Sequence, residues 1–384
     1  MTLEDAIDVL LSGGPVGPAD DAVAAAQAAG AQQLIARLLE RPLGRDALSP
    51  AGAFNLGRLK RICQVLSRID WPGLVEALDD FLKSPRGNVR ELMAKTLVER
   101  GNSSAAAVAE RLLAATDRET VRGAFEGIED AQRTKRADPE FRRRVFDLMA
   151  AEVRGRDRGL NHPVRSSPAE LMMHLDPARG AELLTSDVVL RADHPAIVDV
   201  LRAIERFKLD VPAARLLALA PRLRSTSGIP PLLASLARID PTAVQPFLMR
   251  SLDHDDRDIR EQAFESWLAT RGIDLFELNR RQKKDSTLLA LAALHQILGI
   301  TGADGLAAAI EQVPARQWTQ AIELAQRAGA TVTAEHLAAA LELGTSYDDP
   351  YGLDDEVLEP IEDALFDDDE RLHRRLHNLL VDEL

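Results

Sequence analysis

The sequence predicts an all-α solenoid, a superhelix of stacked helical hairpins, and three observations carry that prediction. The first is a repeat. Residues Asp70 to Arg100 return almost residue for residue at Asp240 to Thr270. Both copies open with Arg-Ile-Asp (Arg68, Ile69, Asp70; Arg238, Ile239, Asp240), and both reach a β-branched residue, an arginine and a glutamate at one distance (Val89, Arg90, Glu91; Ile259, Arg260, Glu261). The second is a period: cap-like residues recur at Asp70, Asn102, Asp138, Asp176, Asp210, Asp240, Asp274 and Asp304, about every 30 to 38 residues, the range of helical repeat units. The third is composition. The 384-residue chain is 46% hydrophobic but only 4% aromatic, which suits thin helical layers filled by Ala and Leu.

Residues 1–48 read as short helices, Leu3 to Leu11, Asp20 to Ala29 and Ala31 to Glu40, lacking the repeat signature; an array needs such an atypical cap at its end. A helix from Ala51 to Ile69 leads into the repeat array, 49–344. In the first clear unit Asp70 is an N-cap, its carboxylate placed to accept from the first free N–H groups, and Pro72 follows where a missing N–H costs little. Leu74, Leu78, Phe81 and Leu82 then fall at helical spacing, as do Val244, Phe247, Leu248 and Leu252 after Asp240 and Pro241. Polar breaks at 84–88 and 253–256 separate these helices from second ones carrying Val89, Met93 and Leu97, or Ile259, Ala263 and Trp267. Gly101 and Gly272 end them. Asn102 stands twenty residues before Arg122 as Asp70 stands before Arg90. Beyond Asp274 and Asp304 no Val-Arg pair follows, and the second helices are expected to start sooner, near Thr287 and Ala315.

Two segments interrupt the array. Arg154 to Ser167 is too rich in Gly, Pro and polar residues for a helix and reads as an exposed loop, and Thr345 to Leu353 reads as a linker. The linker opens a C-terminal cap, 345–384, with a final helical pair at Asp354 to Phe366 and Asp369 to Leu380, the second burying Leu372, Leu376, Leu379 and Leu380.

The period and the Asp, then Val-Arg, signature resemble HEAT repeats, in particular the short bacterial type related to those of bilin lyases. The resemblance covers Ala51 to Leu343 and is strongest at 68–130 and 238–272. It implies that Arg90, Arg122 and Arg260, matching the family's arginine after the loop, contact an acidic group of a neighbouring unit, and that one helix of every unit lines a concave surface. Tetratricopeptide arrays have a similar period, but their aromatic positions are missing from a chain with two tyrosines.

Charge is unevenly placed. The net charge is −14, yet fifteen acids against three arginines lie between Leu341 and Leu384, so the preceding body is close to neutral. That argues against nucleic acid as a partner, since a DNA-gripping HEAT protein would need a basic groove and aromatic residues beside an acid. Trp71, Trp267 and Trp318 sit at helix starts or on apolar stripes and read as core. The single cysteine, Cys63, lies inside a helix and reads as packing; it excludes an internal disulfide framework and fits a reducing compartment. With no uninterrupted run of about 18 apolar residues, no membrane association and a cytoplasmic location are expected.

Nucleophile elbows, phosphate loops, dinucleotide turns and paired-cysteine spacings are absent, so no catalytic residue, cofactor or metal is assigned. Glu370, His373 and His377 form a Glu-x-x-His-x-x-x-His pattern, but arginines flank it and a solvated helix border is the expected reading. The candidate binding residues are basic: Arg142 and Arg143 in a ten-base stretch from Arg133 to Arg165, and Arg215, Arg222, Arg250, Arg280 and Arg281 on three successive first helices at 211–224, 241–252 and 274–284. Together they outline a partly cationic concave face for a protein partner that is acidic or phosphate-bearing. Asp70, Arg90, Asn102, Arg122, Asp240 and Arg260 are assigned structural roles in the repeat. The expected function is a non-enzymatic protein-binding scaffold or adaptor. Two other classes stand beside it: a HEAT-type enzyme, glycosylase-like or lyase-like, using Asp253, Asp255 and Asp256, and an immunity or regulatory protein whose acidic end neutralises a basic partner.

Overall fold

The computed structural model describes residues 59–60, 63–64, 66–67, 73–155, 167–223, 226–275, 286–347, 350–352, 355–367 and 371–383. The predicted N-terminal cap at 1–48, Asp70 and Trp71, the interior of the 154–167 loop, and Arg280 and Arg281 lie outside the described residues. Among the described residues the regular elements are helical, with no strand. The chain divides into two compact units, Met1–Ala203 and Ile204–Leu384.

The first unit contains α1 (Leu74–Leu82), α2 (Gly87–Glu99), α3 (Ser103–Leu113), α4 (Arg118–Arg133), α5 (Pro139–Val153), α6 (Pro168–Leu175) and α7 (Pro177–Leu184), and α8 (Ile197–Arg206) runs across the division. The starts follow from sequence. Asn102, Asp117, Asp138 and Asp176 each accept a bond from the N–H three residues on, at Ala105, Thr120, Phe141 and Arg179, and each such cap contributes about 1 kcal/mol. Ser167 and Glu170 form a reciprocal capping box before α6, with Pro168 in its first turn. At the end of α2, Gly101 has φ +68, and a β-carbon there would lie 2.8 Å from the Ala137 nitrogen. The Gly101 carbonyl accepts from Asp138 N–H at 2.8 Å, so one glycine ties the end of one hairpin to the start of the next but one helix pair.

Helices pair as hairpins, α1 on α2, α3 on α4 and α5 on α6, and the members of successive hairpins lie side by side, α2 along α4 and α3 along α5. Two glycines set the α2/α4 approach: a β-carbon on Gly123 would meet the Glu91 carbonyl oxygen at 2.1 Å, and one on Gly127 the Lys95 carbonyl at 2.7 Å. The contact advances four residues on both helices, so they run parallel. Charges close the same interface one period apart: Arg90 to Asp117 and Glu119 at 3.0 and 3.3 Å, Arg122 to Glu91, and Lys95 to Glu126 and Asp130 at 3.3 and 2.9 Å. Lateral pairs Arg111–Asp79, Arg144–Glu110 and Arg179–Asp147 repeat the offset in the other layer.

The second unit continues with α9 (Ala213–Leu219), α10 (Ile229–Ile239), α11 (Gln245–Ser251), α12 (Arg257–Ala269), α13 (Ser286–Asp304), α14 (Leu306–Gln312), α15 (Ala315–Arg327), α16 (Thr331–Ser346), α17 (Asp355–Phe366) and α18 (Leu372–Glu383). The repeat hairpin reappears as α11 on α12, with Val244, Leu248, Leu252, Ile259, Ala263 and Trp267 buried; each of the larger apolar side chains contributes roughly 2 kcal/mol. Asp240 caps a turn rather than the helix itself: its carboxylate accepts from Ala243 at 2.9 Å, and α11 starts only at Gln245. Gly272 ends the second copy at φ +72 as Gly101 ends the first.

Several expectations are corrected. Asp210 caps no helix, because α9 starts after Pro212. Asp304 lies in the last turn of α13, and the free N–H of Leu306 at the start of α14 is met instead by Glu362 of α17 at 2.9 Å. Thr345 and Ser346 belong to α16, so the linker is shorter than predicted. The last two helices pack on different partners, α17 on α14 and α16, α18 on α12 and α15. In α18 the buried stripe is Leu372, Leu376 and Leu380, while Leu379 is half-buried and His373 and His377 take its place. Helix α13 is long and apolar enough to cross a membrane by length and hydropathy; in the fold Leu288, Leu291, Leu294, Ile297 and Leu298 are buried, and α14 and α15 pack on it.

Candidate functional site

A cavity of about 640 Å3 opens on the first unit, lined by Lys95 of α2, by Glu126, Glu129, Asp130, Gln132 and Arg133 of α4, and by Leu171, His174 and Leu175 of α6. The period places these residues together: the second helices of three successive hairpins each present one face. Lys95 bridges Glu126 and Asp130, which also pairs with Arg133 at 2.6 Å. Burial acts to lower the Lys95 ammonium, but the Asp130 and Glu126 carboxylates outweigh it and leave its pKa raised. Gln132 donates to the His174 carbonyl at 2.8 Å, joining α4 to α6. The groove therefore carries both signs of charge over an apolar floor of Ile128, Leu171 and Leu175.

Of the arginines expected to line a cationic face, two make contacts within or beside their own helix. Arg142 donates through Nε to the Ala137 carbonyl at 3.0 Å, and Arg143 chelates Glu140 at 2.8 and 3.1 Å. Both serve α5 itself. Arg215 is half-buried on α9, and Arg222 and Arg250 are exposed, on the 3-10 turn after α9 and on α11. Two of the repeat arginines, Arg90 and Arg122, contact acids of a neighbouring hairpin. Arg90 reaches Asp117 and Glu119 of the next hairpin, and Arg122 reaches Glu91 of the preceding one. Arg90 also donates to the Ser84 carbonyl at 2.6 Å, and Arg260 donates to the carbonyls of His254 and Asp255 at 2.6 and 2.7 Å, each closing its own loop. Burial opposes ionisation of Asp117, but bonds from Thr120 and Arg90 hold its carboxyl below the usual range.

The acids of the 253–256 loop are structural. Asp256 caps α12, Asp253 pairs with Arg374 at 3.4 Å and Asp255 lies 3.8 Å from Arg371. Cys63 is 3% exposed, and burial pushes its thiol up to about 12, so it packs and does not react. Trp267 and Trp318 are buried, as expected of core residues. His373 and His377, expected at a solvated border, are buried against aromatic rings: His373 lies 5.7 Å from Phe264, and His377 meets Trp267 edge-on at 4.6 Å. Burial lowers the His377 pKa. Glu370 lies outside the described residues.

Sequence reasoning passed over a second constellation. Glu261 and Glu265, one turn apart on α12, and His295 of α13 bring their donor atoms within 4.8 Å of one another. Desolvation, then the charges of Glu261 and Asp274, raise the Glu265 carboxyl to about 7, and desolvation lowers the His295 imidazole. The Glu-x-x-x-Glu spacing was readable; the histidine thirty residues on was not. No family model, no curated protein and no solved structure matches this chain.

Proposed function

We propose that the chain is a non-enzymatic, HEAT-like α-solenoid scaffold of the cytoplasm that binds a protein partner through the groove over α2, α4 and α6. The observation that carries this reading is the ladder of ion pairs across α2 and α4, whose offsets of 27 to 35 residues lie close to the 30-to-38-residue period of the sequence. Groups that recur one period apart and touch are what stacked repeats produce, and stacking leaves an extended face that holds a partner without a catalytic group. The groove supplies that face. It offers acids and bases alternately and no reactive nucleophile, which favours a polypeptide carrying charges of both signs over a polyanion.

Charge reversal tests this. Arg133 is 74% exposed at its side chain and His174 is exposed, so Arg133→Glu with His174→Glu changes the groove without emptying the core. Affinity capture should lose its partner with that double variant and keep it with Arg222→Glu, Arg250→Glu. The opposite pattern, or heparin binding as tight as partner binding, would move the docking face to the arginines of the second unit.

A further inference from the structure

We infer that Glu261, Glu265 and His295 form a binding site for a divalent transition-metal ion. The three side chains project from two helices into one half-buried niche, with all donor atoms within 4.8 Å and His295 Nε2 3.9 Å from Glu265 Oε1. Zinc bonds nitrogen and carboxylate oxygen at about 2.0–2.2 Å, so neighbouring donors around an ion stand about 3.3 Å apart. The contraction needed is on the order of 1.5 Å, within reach of a glutamate χ rotation on a helix face.

The donor set selects the class of ion. One imidazole nitrogen with two carboxylate oxygens suits zinc and its first-row neighbours, whereas magnesium and calcium take oxygen alone. The surroundings favour a cation of any kind. Phe264, Leu291, Leu294, Leu298, Leu372 and Leu376 line the same cavity, which lowers the local dielectric and leaves two carboxylates facing each other. The groups that raise Glu265 besides burial are both acids, Glu261 and Asp274; Gln262 donates to it at 3.4 Å. Three protein ligands leave the fourth position to water.

The test uses the full chain, zinc chloride as the probe and magnesium chloride as the control, read by calorimetry and by histidine NMR. Expected are one equivalent of zinc, a shift of the His295 ring resonances, and no uptake of magnesium. Glu261→Gln, Glu265→Gln and His295→Gln should each weaken zinc binding about tenfold or more. Glu265→Gln removes a poorly solvated carboxyl and keeps its shape, so it folds; if His295→Gln does not, the two glutamate variants decide. Absence of zinc uptake, zinc bound with undiminished affinity by both glutamate variants, or magnesium bound equally well would each overturn the assignment.

Discussion

The two copies of the repeat hairpin, α1 with α2 and α11 with α12, close their loops alike and then meet different neighbours. Arg90 and Arg260 each donate to the carbonyl six residues before them, at 2.6 Å in both copies. From there Arg90 reaches forward to Asp117 and Glu119 of the next hairpin. In the second copy the direction of charge is reversed: Asp253 and Asp255 of the repeat's own loop pair with Arg374 of α18 and with Arg371 just before it. The hairpin is a local property, fixed by apolar spacing and one arginine. What stacks on it is decided elsewhere, by the size of residues at the helix crossing. Gly123 and Gly127 let α4 lie on α2, whereas α12 receives α18, with two histidine rings against Phe264 and Trp267.

The largest test of this difference is Gly123→Ala. A methyl group 2.1 Å from the Glu91 carbonyl oxygen cannot be accommodated without parting α2 and α4, so urea unfolding of the first unit should show a loss of about 3 kcal/mol or more. A neutral result would mean that close approach does not distinguish the copies. Next come the clamps. Arg260 is 5% exposed, and Arg260→Ala strands two carbonyls at a cost of about 2–3 kcal/mol. Arg90→Ala should cost about half of that, since its acids are half-exposed and water can replace the guanidinium. Equal losses would make the two clamps equivalent after all.

A pH comparison probes the niche on α12. The folded-state pKa of Glu265, about 7, lies above its ordinary value of 4.5, so the folded chain holds this proton more tightly than the unfolded chain. Stability from this carboxyl is therefore lost as pH rises from about 5 to about 8, on the order of 2 kcal/mol. Glu261 and Asp274 face it with like charge. His295, lowered by burial, acts in the opposite sense as pH falls below its unfolded value. Relative to Glu265→Gln, the wild type should lose stability across that window in chemical denaturation; parallel curves would refute the shift. The smallest effect is Gly299→Ala on α13. A β-carbon there meets nothing within 4 Å, so melting should show a gain of about 0.5–1 kcal/mol, opposite in sign to Gly123→Ala.

Much of the hairpin was legible because its determinants are near one another in the chain. Asn102, Asp138 and Asp176 cap helices as read, the apolar stripes of both copies are buried except at Leu82 and Phe247, and α15 starts where the shortened unit was expected to place it. Long-range choices were not legible. Asp304 has the residue type of a cap, but Glu362 does the capping from 56 residues away. The histidines of α18 looked like a polar border because nothing in their own helix reveals the aromatic face of α12. The Glu261, Glu265 and His295 niche joins two helices through space, and only its one-turn half shows in the sequence.

The seat of α18 has a consequence for the order in which the second unit is made. Arg371 donates to the Asp253 carbonyl across 118 residues, and Leu372, Leu376 and Leu380 cover the outer side of helices completed far earlier. Phe264 and Trp267 are met by the rings of His373 and His377, so on a growing chain that apolar surface waits for the later-made α18 before it is fully shielded. A chain arrested before residue 372 would keep that apolar face uncovered.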